Sequence, residues 1–334
     1  MPFADILGQE KAVSYLKGLA AGGKVPGAML FFGEEGIGKA KTALEFAKAL
    51  NCLDSSARAR GDSCGVCQSC RAISQGTHPD VVFADFLYQA RLEVKKDFSS
   101  KGYEEELEKE LAKQQHINVD TIRDVTAKSQ QKAVAGGWKV LIIDAAQTMQ
   151  AAAANALLKF IEEPPYKTLW ILITSKRATM LKTILSRCQP LAFAPLAGET
   201  VEKILSASQQ EVPYAQLAAK YSGGSVARAL KASQALELLA SAEQGAAWPC
   251  AVAGALSRTL ALSRTEAQSV LDVLLAALHQ SWRQETDPAQ AAAMRRDLKK
   301  FEDYKRAITR NVSPALVLET ALMSLDGINV KIFD

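Results

Sequence analysis

The segment Ala28-Met-Leu-Phe-Phe-Gly-Glu-Glu-Gly-Ile-Gly-Lys39 joins a short apolar run to a glycine-rich loop. The run at 28–32 has the length of a buried strand, and residues 39–50 after the loop have helical periodicity. Two more apolar runs, at 139–143 and 169–173, are nearly continuous, as expected for parallel strands covered on both faces. Because a helical pattern separates these two runs, the sequence predicts an α/β fold with a parallel sheet.

The second half of the chain has a different pattern. After Pro195 the β-branched runs are absent, and helical segments alternate with prolines and glycines. Apolar residues recur at helical spacing in two stripes, over 271–282 and 315–325, as is typical of core faces. An all-helical region is therefore predicted to follow the α/β domain. The charged stretch 91–113 is predicted to be a solvated helical insertion.

The composition excludes several classes of protein. The 334 residues include 40 lysines and arginines and 36 aspartates and glutamates, and 48% of the residues are hydrophobic. These proportions are typical of a globular protein, and a net charge of +4 is too small for a general nucleic-acid coat, so any DNA contact must be local or shared with other chains. No apolar run approaches the roughly 20 residues that span a bilayer. We therefore expect a cytoplasmic protein without membrane contact.

The loop Gly33-Glu-Glu-Gly36-Ile-Gly38-Lys39 has the G-x-x-x-x-G-K frame of a phosphate-binding loop, between a predicted strand and a predicted helix. Its glycines allow backbone N–H groups to converge on a phosphate, the helix N-terminus adds positive potential, and Lys39 can reach the outer phosphates. Position 40 is alanine, however, where a hydroxyl ordinarily ligates Mg²⁺. The loop is therefore predicted to be a degenerate ATP site.

A second departure follows the strand predicted over 139–143. Asp144 ends this strand, where a phosphate-loop protein holds Mg²⁺ through an acidic side chain, but Ala145 and Ala146 come next. No glutamate stands there to polarise an attacking water. Two independent losses make hydrolysis of ATP unexpected, whereas binding of ATP stays open. Asp144 is also compatible with a residue that caps the following segment.

Four of the six cysteines lie in one short stretch, namely Cys52, Cys64, Cys67 and Cys70. In a reducing compartment this spacing favours a metal over disulfides, and four thiolates suit a closed, tetrahedral structural Zn²⁺ site. Free thiols and an iron–sulfur cluster are the alternatives, and His78 is a candidate to replace one thiol. The nearby Arg58 and Arg60 are candidates for DNA contact or for simple solvation.

Several strings together resemble the bacterial clamp-loader ATPase family of the AAA+ superfamily. Besides the phosphate-binding loop they are Ile6-Leu-Gly-Gln9, Asn155-Ala-Leu-Leu-Lys159, Glu162-Glu-Pro-Pro165 and Thr183-Ile-Leu-Ser-Arg-Cys188. A four-cysteine insertion after the helix that follows the loop is shared by the gamma/tau and delta-prime classes of this family in DNA polymerase III. The damaged nucleotide motifs resemble the delta-prime class, whose own site is commonly degenerate, more than the gamma/tau class.

The resemblance implies roles for particular residues. Arg187 corresponds to an arginine finger that reaches the ATP site of a neighbouring subunit, with Ser186 and Cys188 orienting its turn. Thr174 matches the position of a sensor of the γ-phosphate, and a plain strand-end threonine is an equal alternative. At the second sensor the arginine comes one residue late, as Arg228, which turns it by about 100° around a helix. This would be a third loss.

The resemblance also implies an architecture and partners. It assigns a phosphate-loop domain to 1–195 with a zinc module over 52–70, a helical lid to 196–240, and a helical collar for oligomerisation to 245–334. The expected partners are gamma/tau and delta subunits and, through the complex, the sliding clamp and primed DNA. Two alternatives stay open: a gamma/tau-like subunit that hydrolyses its own ATP, and a zinc-stabilised DNA-binding module.

Overall fold

The chain forms two units. The computed structural model describes residues 2–94, 102–208, 212–243, 263–310 and 312–325. The first unit is Met1–Pro195 and the second is Leu196–Asp334. The first unit combines a parallel sheet with helices, and the described part of the second unit is helical. This confirms the predicted fold class, an α/β phosphate-loop domain followed by an all-α region.

Five parallel strands form the sheet of the first unit, in the order β2-β3-β4-β1-β5. They are β1 (Ala28–Phe32), β2 (Val81–Ala84), β3 (Lys139–Ile143), β4 (Thr168–Thr174) and β5 (Gln189–Ala192). β1 pairs with β4 on one side, where Phe32 lies opposite Thr174, and with β5 on the other. The loop after β1 therefore emerges between the carboxyl ends of two neighbouring strands, where ligands bind in open parallel sheets.

The three strands predicted from the sequence are the inner strands of the sheet. Every residue of β3 and β4 is buried, because apolar cores lie on both faces of the sheet. The edge strands β2 and β5 were not predicted. Each has only four residues, and β5 exposes Gln189 and Pro190, since an edge strand needs hydrogen-bond partners on one side only. Neither strand has the long apolar run that marks a strand buried on both faces.

The described helices of the first unit surround the sheet. They are α1 (Glu10–Gly22), α2 (Lys39–Asn51), α3 (Ser55–Ala59), α4 (Gln68–Ser74), α5 (Phe86–Glu93), α6 (Tyr103–Lys113), α7 (Val119–Gln130), α8 (Ala151–Glu162) and α9 (Lys182–Leu185), with short 3-10 turns at Pro2–Asp5, Ala146–Thr148 and Arg177–Thr179. The charged stretch 91–113 forms the end of α5 and all of α6. Its residues 95–101 lie outside the described part of the chain.

The described helices of the second unit share one apolar core, which includes residues from Leu196 to Leu325. They are α10 (Gly198–Ser206), α11 (Ala215–Tyr221), α12 (Val226–Glu243), α13 (Arg264–Gln284), α14 (Pro288–Thr309) and α15 (Pro314–Met323). Both predicted stripes face this core, as the buried Leu274 and Leu322 illustrate. The division into a lid over 196–240 and a collar over 245–334 stays a prediction. Within the described ranges, no helix has the length and apolarity to span a bilayer.

Two glycines with the same left-handed backbone provide a test of how the cysteine-rich segment packs on α1. Gly61 has φ +66°, and a Cβ there would lie 2.0 Å from the carbonyl oxygen of Lys17. Gly76 has φ +69° and no atom within 4 Å of such a Cβ. We expect Gly76→Ala to cost about 1–2 kcal/mol of unfolding free energy, from backbone strain alone.

Gly61→Ala adds a steric clash to the same strain, so we expect it to cost at least about 2 kcal/mol more than Gly76→Ala. Urea unfolding of the two variants, followed by circular dichroism, measures the difference. Equal losses of stability would contradict the close packing of Gly61 on α1.

Candidate functional site

The glycine-rich loop is held by backbone contacts with two neighbouring strands. The Gly33 N–H donates to the Thr174 carbonyl at the end of β4, over 3.3 Å. A Cβ on Gly33 would lie 2.5 Å from the Phe193 carbonyl oxygen, so the close approach requires glycine. Gly36 and Gly38 have φ of +72° and +96°, and Gly38 directly precedes α2. The loop thus leads directly into the N-terminus of α2, as a phosphate site requires.

Gln9 ties this loop to the end of β5. Its side-chain amide donates to the carbonyl of Ile37 in the loop (3.2 Å) and to the carbonyl of Ala194 (2.7 Å), and its oxygen accepts from the Ala194 N–H (3.3 Å). In the sequence, Gln9 is marked only as part of the string Ile6-Leu-Gly-Gln9 that resembles the clamp-loader family. Because Ala194 is 185 positions away, no local spacing indicated this contact.

Lys39 is turned inward onto its own loop. Its ammonium donates to the carbonyl of Gly33 over 2.8 Å and to the carbonyl of Glu34, and the residue is only 6% exposed. Burial lowers the pKa of Lys39, although the charges of Asp144, Glu35 and Glu34 oppose this shift. The cation that would bind a phosphate is therefore satisfied by backbone oxygens, and a nucleotide would have to replace them.

The acidic side of the site is sparse. Asp144 follows β3, and one of its carboxylate oxygens accepts from the Ala145 N–H over 2.7 Å. Burial raises the pKa of Asp144, and the charges of Asp85 and Glu35 add to this effect. Of the two residues expected to bind Mg²⁺, the sequence supplies Asp144 but has alanine at position 40, and alanine at 145 stands where a glutamate would activate water.

Thr174 lies at the carboxyl end of β4, beside the loop. It is buried, and its hydroxyl oxygen accepts from the Lys176 N–H over 3.1 Å. The adjacent Ser175 N–H donates to the side chain of Gln147 over 3.2 Å. The structure thus places the predicted sensor residue next to Gly33, while its side chain also completes the turn after the strand. Its sensing role stays a prediction.

Arg187 lies at the other end of the sheet, immediately before β5. Its Nε–H donates to the carboxylate of Glu162, at the end of α8. One Nη donates to the Thr183 carbonyl (3.0 Å) and to the Ser186 hydroxyl (3.2 Å). Among the residues that the structure describes, the other Nη has no partner, and the side chain is 36% exposed. The guanidinium plane is therefore fixed by three contacts while one edge faces solvent.

The two residues beside Arg187 have different environments. Ser186 donates to the Thr183 carbonyl over 3.1 Å and accepts from Arg187, so it contributes to the arginine turn. Cys188 packs in the core with Ile184, and burial raises the pKa of its thiol to about 12. Arg228 lies in the first turn of α12 in the second unit, where its N–H donates to the Ser225 hydroxyl. That the Arg228 guanidinium turns away from the nucleotide site stays a prediction.

The four cysteines of the insertion come together, with their sulfur atoms all within 4.8 Å of one another: Cys52, Cys64, Cys67 and Cys70. Around a tetrahedral Zn²⁺ with Zn–S bonds of about 2.3 Å, sulfur atoms lie about 3.8 Å apart, so the set fits this ion. Two sulfur atoms accept backbone N–H bonds, from Cys64 over 3.2 Å and from Cys67 over 3.3 Å. These four residues could therefore hold a metal ion.

Thiol acidity in the cluster varies with local contacts. Burial raises the pKa of Cys52 and of Cys70. At Cys67 burial has the same direction, but hydrogen bonds from the backbone of Cys70 and Leu53 outweigh it and lower the pKa to about 6. Such N–H donors stabilise thiolate sulfur, which is the form that binds a metal.

Asp62 anchors the cysteine segment to the rest of the unit. Its carboxylate forms an ion pair with Lys17 (2.9 Å) and accepts from the N–H groups of Ser63 (2.8 Å) and Phe3 (3.4 Å). His78 is not one of the four clustered ligands, and its Nδ1 accepts from the Asp80 N–H over 3.1 Å. The two arginines singled out from the sequence, Arg58 and Arg60, are exposed.

The sequence profile of the family described as "DNA polymerase III, delta subunit" matches residues 8–197, which is more than half of the chain. The matched range contains the sheet, the glycine-rich loop, the cysteine cluster and Arg187. Among solved structures, a DNA polymerase III gamma subunit-related protein from Thermotoga maritima covers 93% of this chain and 97% of its own, with 15% identity and a TM-score of 0.44.

Relatives of two kinds match the chain. The DNA polymerase III subunit delta' of Pseudomonas aeruginosa is 36% identical over 171 residues, which cover 51% of this chain and 44% of that protein. The DNA polymerase III subunit tau of Bacillus subtilis is 32% identical over 214 residues, which cover 63% of this chain and 33% of that protein. The chain thus spans less than half the length of either relative. The chain is therefore similar to both delta' and tau subunits.

We expect the purified chain to contain one zinc ion, measured by elemental analysis together with native mass spectrometry. Cys70→Ser should abolish zinc binding, because a closed structural site needs all four ligands. Cys188→Ala is the matched control: it removes a buried thiol outside the cluster and should keep the zinc. Iron in place of zinc, or zinc retained by Cys70→Ser, would contradict the assignment.

Proposed function

Because this chain belongs to the DNA polymerase III delta-subunit family, we propose that it is a delta-prime-type subunit of the bacterial clamp loader. In this role it does not hydrolyse ATP itself. It lends Arg187 to the ATP site of a neighbouring gamma/tau subunit during loading of the sliding clamp onto primed DNA. Its partners would be the gamma/tau and delta subunits, with the cysteine cluster holding a structural zinc ion.

The observation that carries the proposal is the contrast between the two cations of the first unit. Lys39, in the chain's own phosphate-binding loop, is buried and bound to loop carbonyls, and alanines occupy position 40, where a hydroxyl ordinarily ligates Mg²⁺, and position 145, where a glutamate would activate water. Arg187 is held in a fixed orientation and keeps one Nη without a partner among the described residues. The first arrangement disfavours hydrolysis, and the second is suited to contact with an anion.

The sheet topology explains why Arg187 would act on another subunit. The loop follows β1 and lies at the carboxyl end of the sheet, whereas Arg187 precedes β5, the parallel neighbour of β1, and lies at the amino end. Met29 pairs with Gln189 and Phe32 with Ala192, so about four residues of strand, roughly 13 Å, separate the two positions. Arg187 therefore lies at the opposite end of the sheet from the chain's own loop, which supports a role at another subunit's site.

A guanidinium supplied by a neighbour acts through its charge and shape. In phosphoryl transfer, negative charge spreads over the γ-phosphate oxygens in the transition state, and an arginine provided in trans accelerates GTPases by about 10³–10⁵. Its planar fork offers two parallel N–H donors, which lysine does not have. Because the arginine arrives only when the subunits assemble, hydrolysis becomes coupled to the interface.

The alternative function is a gamma/tau-like subunit that hydrolyses its own ATP. The succession of strand, loop and helix, the presence of Lys39 and the match to a tau subunit favour it. ATP hydrolysis by the isolated chain separates the two functions. Turnover that Lys39→Ala abolishes would support the alternative and overturn the proposal.

We expect Arg187→Ala to lower clamp-stimulated ATP turnover in a loader reconstituted with gamma/tau and delta subunits. The loss at the neighbouring site should be at least about tenfold, because the transition-state charge loses its cation. Arg187→Lys should restore little of the rate, since lysine lacks the planar fork. Size-exclusion chromatography checks that the complex still assembles. Turnover that is unchanged in the assembled complex would remove the role of Arg187.

We expect Glu162 to be a positioning residue for Arg187, because its carboxylate fixes the Nε side of the guanidinium. Glu162→Ala should lower kcat of the assembled loader about threefold to tenfold, the effect of losing one charge-assisted hydrogen bond, with little change in KM for ATP. Glu163→Ala, one residue further along the chain, is the matched control and should have no effect. In the Arg187→Ala background, Glu162→Ala should produce no further loss, and an additional loss there would show a merely structural role.

A further inference from the structure

Helix α14 carries both paired and unpaired charges. Three of its carboxylates are paired with cations of the same helix: Asp297 with Lys300 (2.8 Å), and Glu302 and Asp303 with Arg306 (3.9 and 3.4 Å). These pairs have the i,i+3 and i,i+4 spacing that stabilises exposed helices. Their charges are balanced within the helix itself.

Three other cations share one side of the helix. Ala292, Arg295, Arg296 and Lys299 follow the i, i+3, i+4, i+7 pattern, so they lie along this side. Arg295, Arg296 and Lys299 are exposed, and within the described residues none has an ion-pair or hydrogen-bond partner. Glu302 and Asp303 follow Lys299 at i+3 and i+4, but both are paired with Arg306. Like charges at the spacing of the three cations oppose helix formation, and an anionic ligand would supply the counter-charge.

These cations line a cleft between α13 and α14 with a volume of about 640 Å³. Trp282, near the end of α13, is the aromatic residue that lines the cleft, and the small side chains of Ala291 and Ala292 line it as well. Trp282 is half-buried and packs against the apolar core, so the indole is held in place while part of it borders the cleft. The cleft therefore combines a fixed aromatic ring with three unpaired cations.

We propose that this cleft binds single-stranded nucleic acid, with one base against Trp282 and successive phosphates on Arg295, Arg296 and Lys299. Stacking platforms beside basic grooves bind single strands in this way, with little dependence on sequence. Arg295 and Lys299 are about 6 Å apart along the helix axis, a spacing that allows two cations to contact neighbouring phosphates of one strand. The small net charge of the chain is consistent with such a local patch.

The alternative anionic partner is an acidic peptide. Carboxylates would satisfy the three cations. Their side chains, however, have no planar ring to place against the indole of Trp282. A duplex would present phosphates, but its bases are already stacked and unavailable to Trp282. The combination of indole and cations therefore favours a single strand. The inference does not depend on the role proposed for Arg187.

The test uses the full chain and a fluorescein-labelled oligothymidylate of about 12 nucleotides, followed by fluorescence anisotropy at about 50 mM salt. We expect binding whose logarithmic salt dependence has a slope of about −2, the value for three phosphates neutralised on a single strand. Changing Arg295, Arg296 and Lys299 together to alanine should weaken binding at least about tenfold and reduce the slope toward zero. The strand should also quench tryptophan fluorescence, and Trp282→Phe should remove this quenching.

Lys300→Ala is the matched control, because it removes a cation of the same helix that is already paired with Asp297. It should leave both affinity and salt slope unchanged. Circular dichroism checks that each variant keeps its helical content. The proposal is overturned if the oligothymidylate does not bind, if the triple variant binds as the unmodified chain does, or if quenching persists in Trp282→Phe. It is also overturned if polyglutamate competes as well as an oligothymidylate of equal charge, which would assign the cleft to acidic peptides.

Discussion

Strand β1 is hydrogen-bonded between β4 and β5, and this pairing determines where the candidate groups of the first unit lie. Because the three strands are parallel, the glycine-rich loop and Thr174 meet at their carboxyl ends. Arg187, which precedes β5, is held at the opposite end. Gln9 adds a second tie between the loop and the chain that leaves β5. The glycine-rich loop and Arg187 are thus separated by about the length of one strand.

The two cations of the first unit differ in what surrounds them. Lys39 has a flexible stem and a point charge, so it can fold back onto nearby carbonyls in a buried loop. Arg187 has a rigid planar group, and contacts to Glu162, Thr183 and Ser186 orient it without using all of its donors. The charge of Lys39 is therefore satisfied by carbonyls inside the protein, whereas part of the Arg187 guanidinium is exposed to solvent.

The cysteine segment illustrates a different way to stabilise structure. Between Cys52 and Cys70 the chain has two short helical pieces and few large apolar side chains, so it cannot build a core of its own. Four convergent sulfur atoms take the place of such a core, and Asp62 and Gly61 fasten the segment to the N-terminal part of the chain and to α1. A closed metal site in this place would act on folding rather than on chemistry.

Sequence alone determined the features that depend on local periodicity or spacing. These are the inner strands, the glycine-rich loop with alanines at positions 40 and 145, and the four cysteines whose spacing favours one metal site. It missed the edge strands, because each has only four residues and is partly exposed, so neither carries the long apolar run of a strand buried on both faces. Only the tertiary structure decided which distant groups touch, namely Gln9 with Ala194 and Glu162 with Arg187. The spacing of the cations along α14 can be recognised in the sequence. The cleft that they form with Trp282 exists only because α13 and α14 pack together. Contacts of this kind depend on chain folding in three dimensions, which residue spacing does not encode.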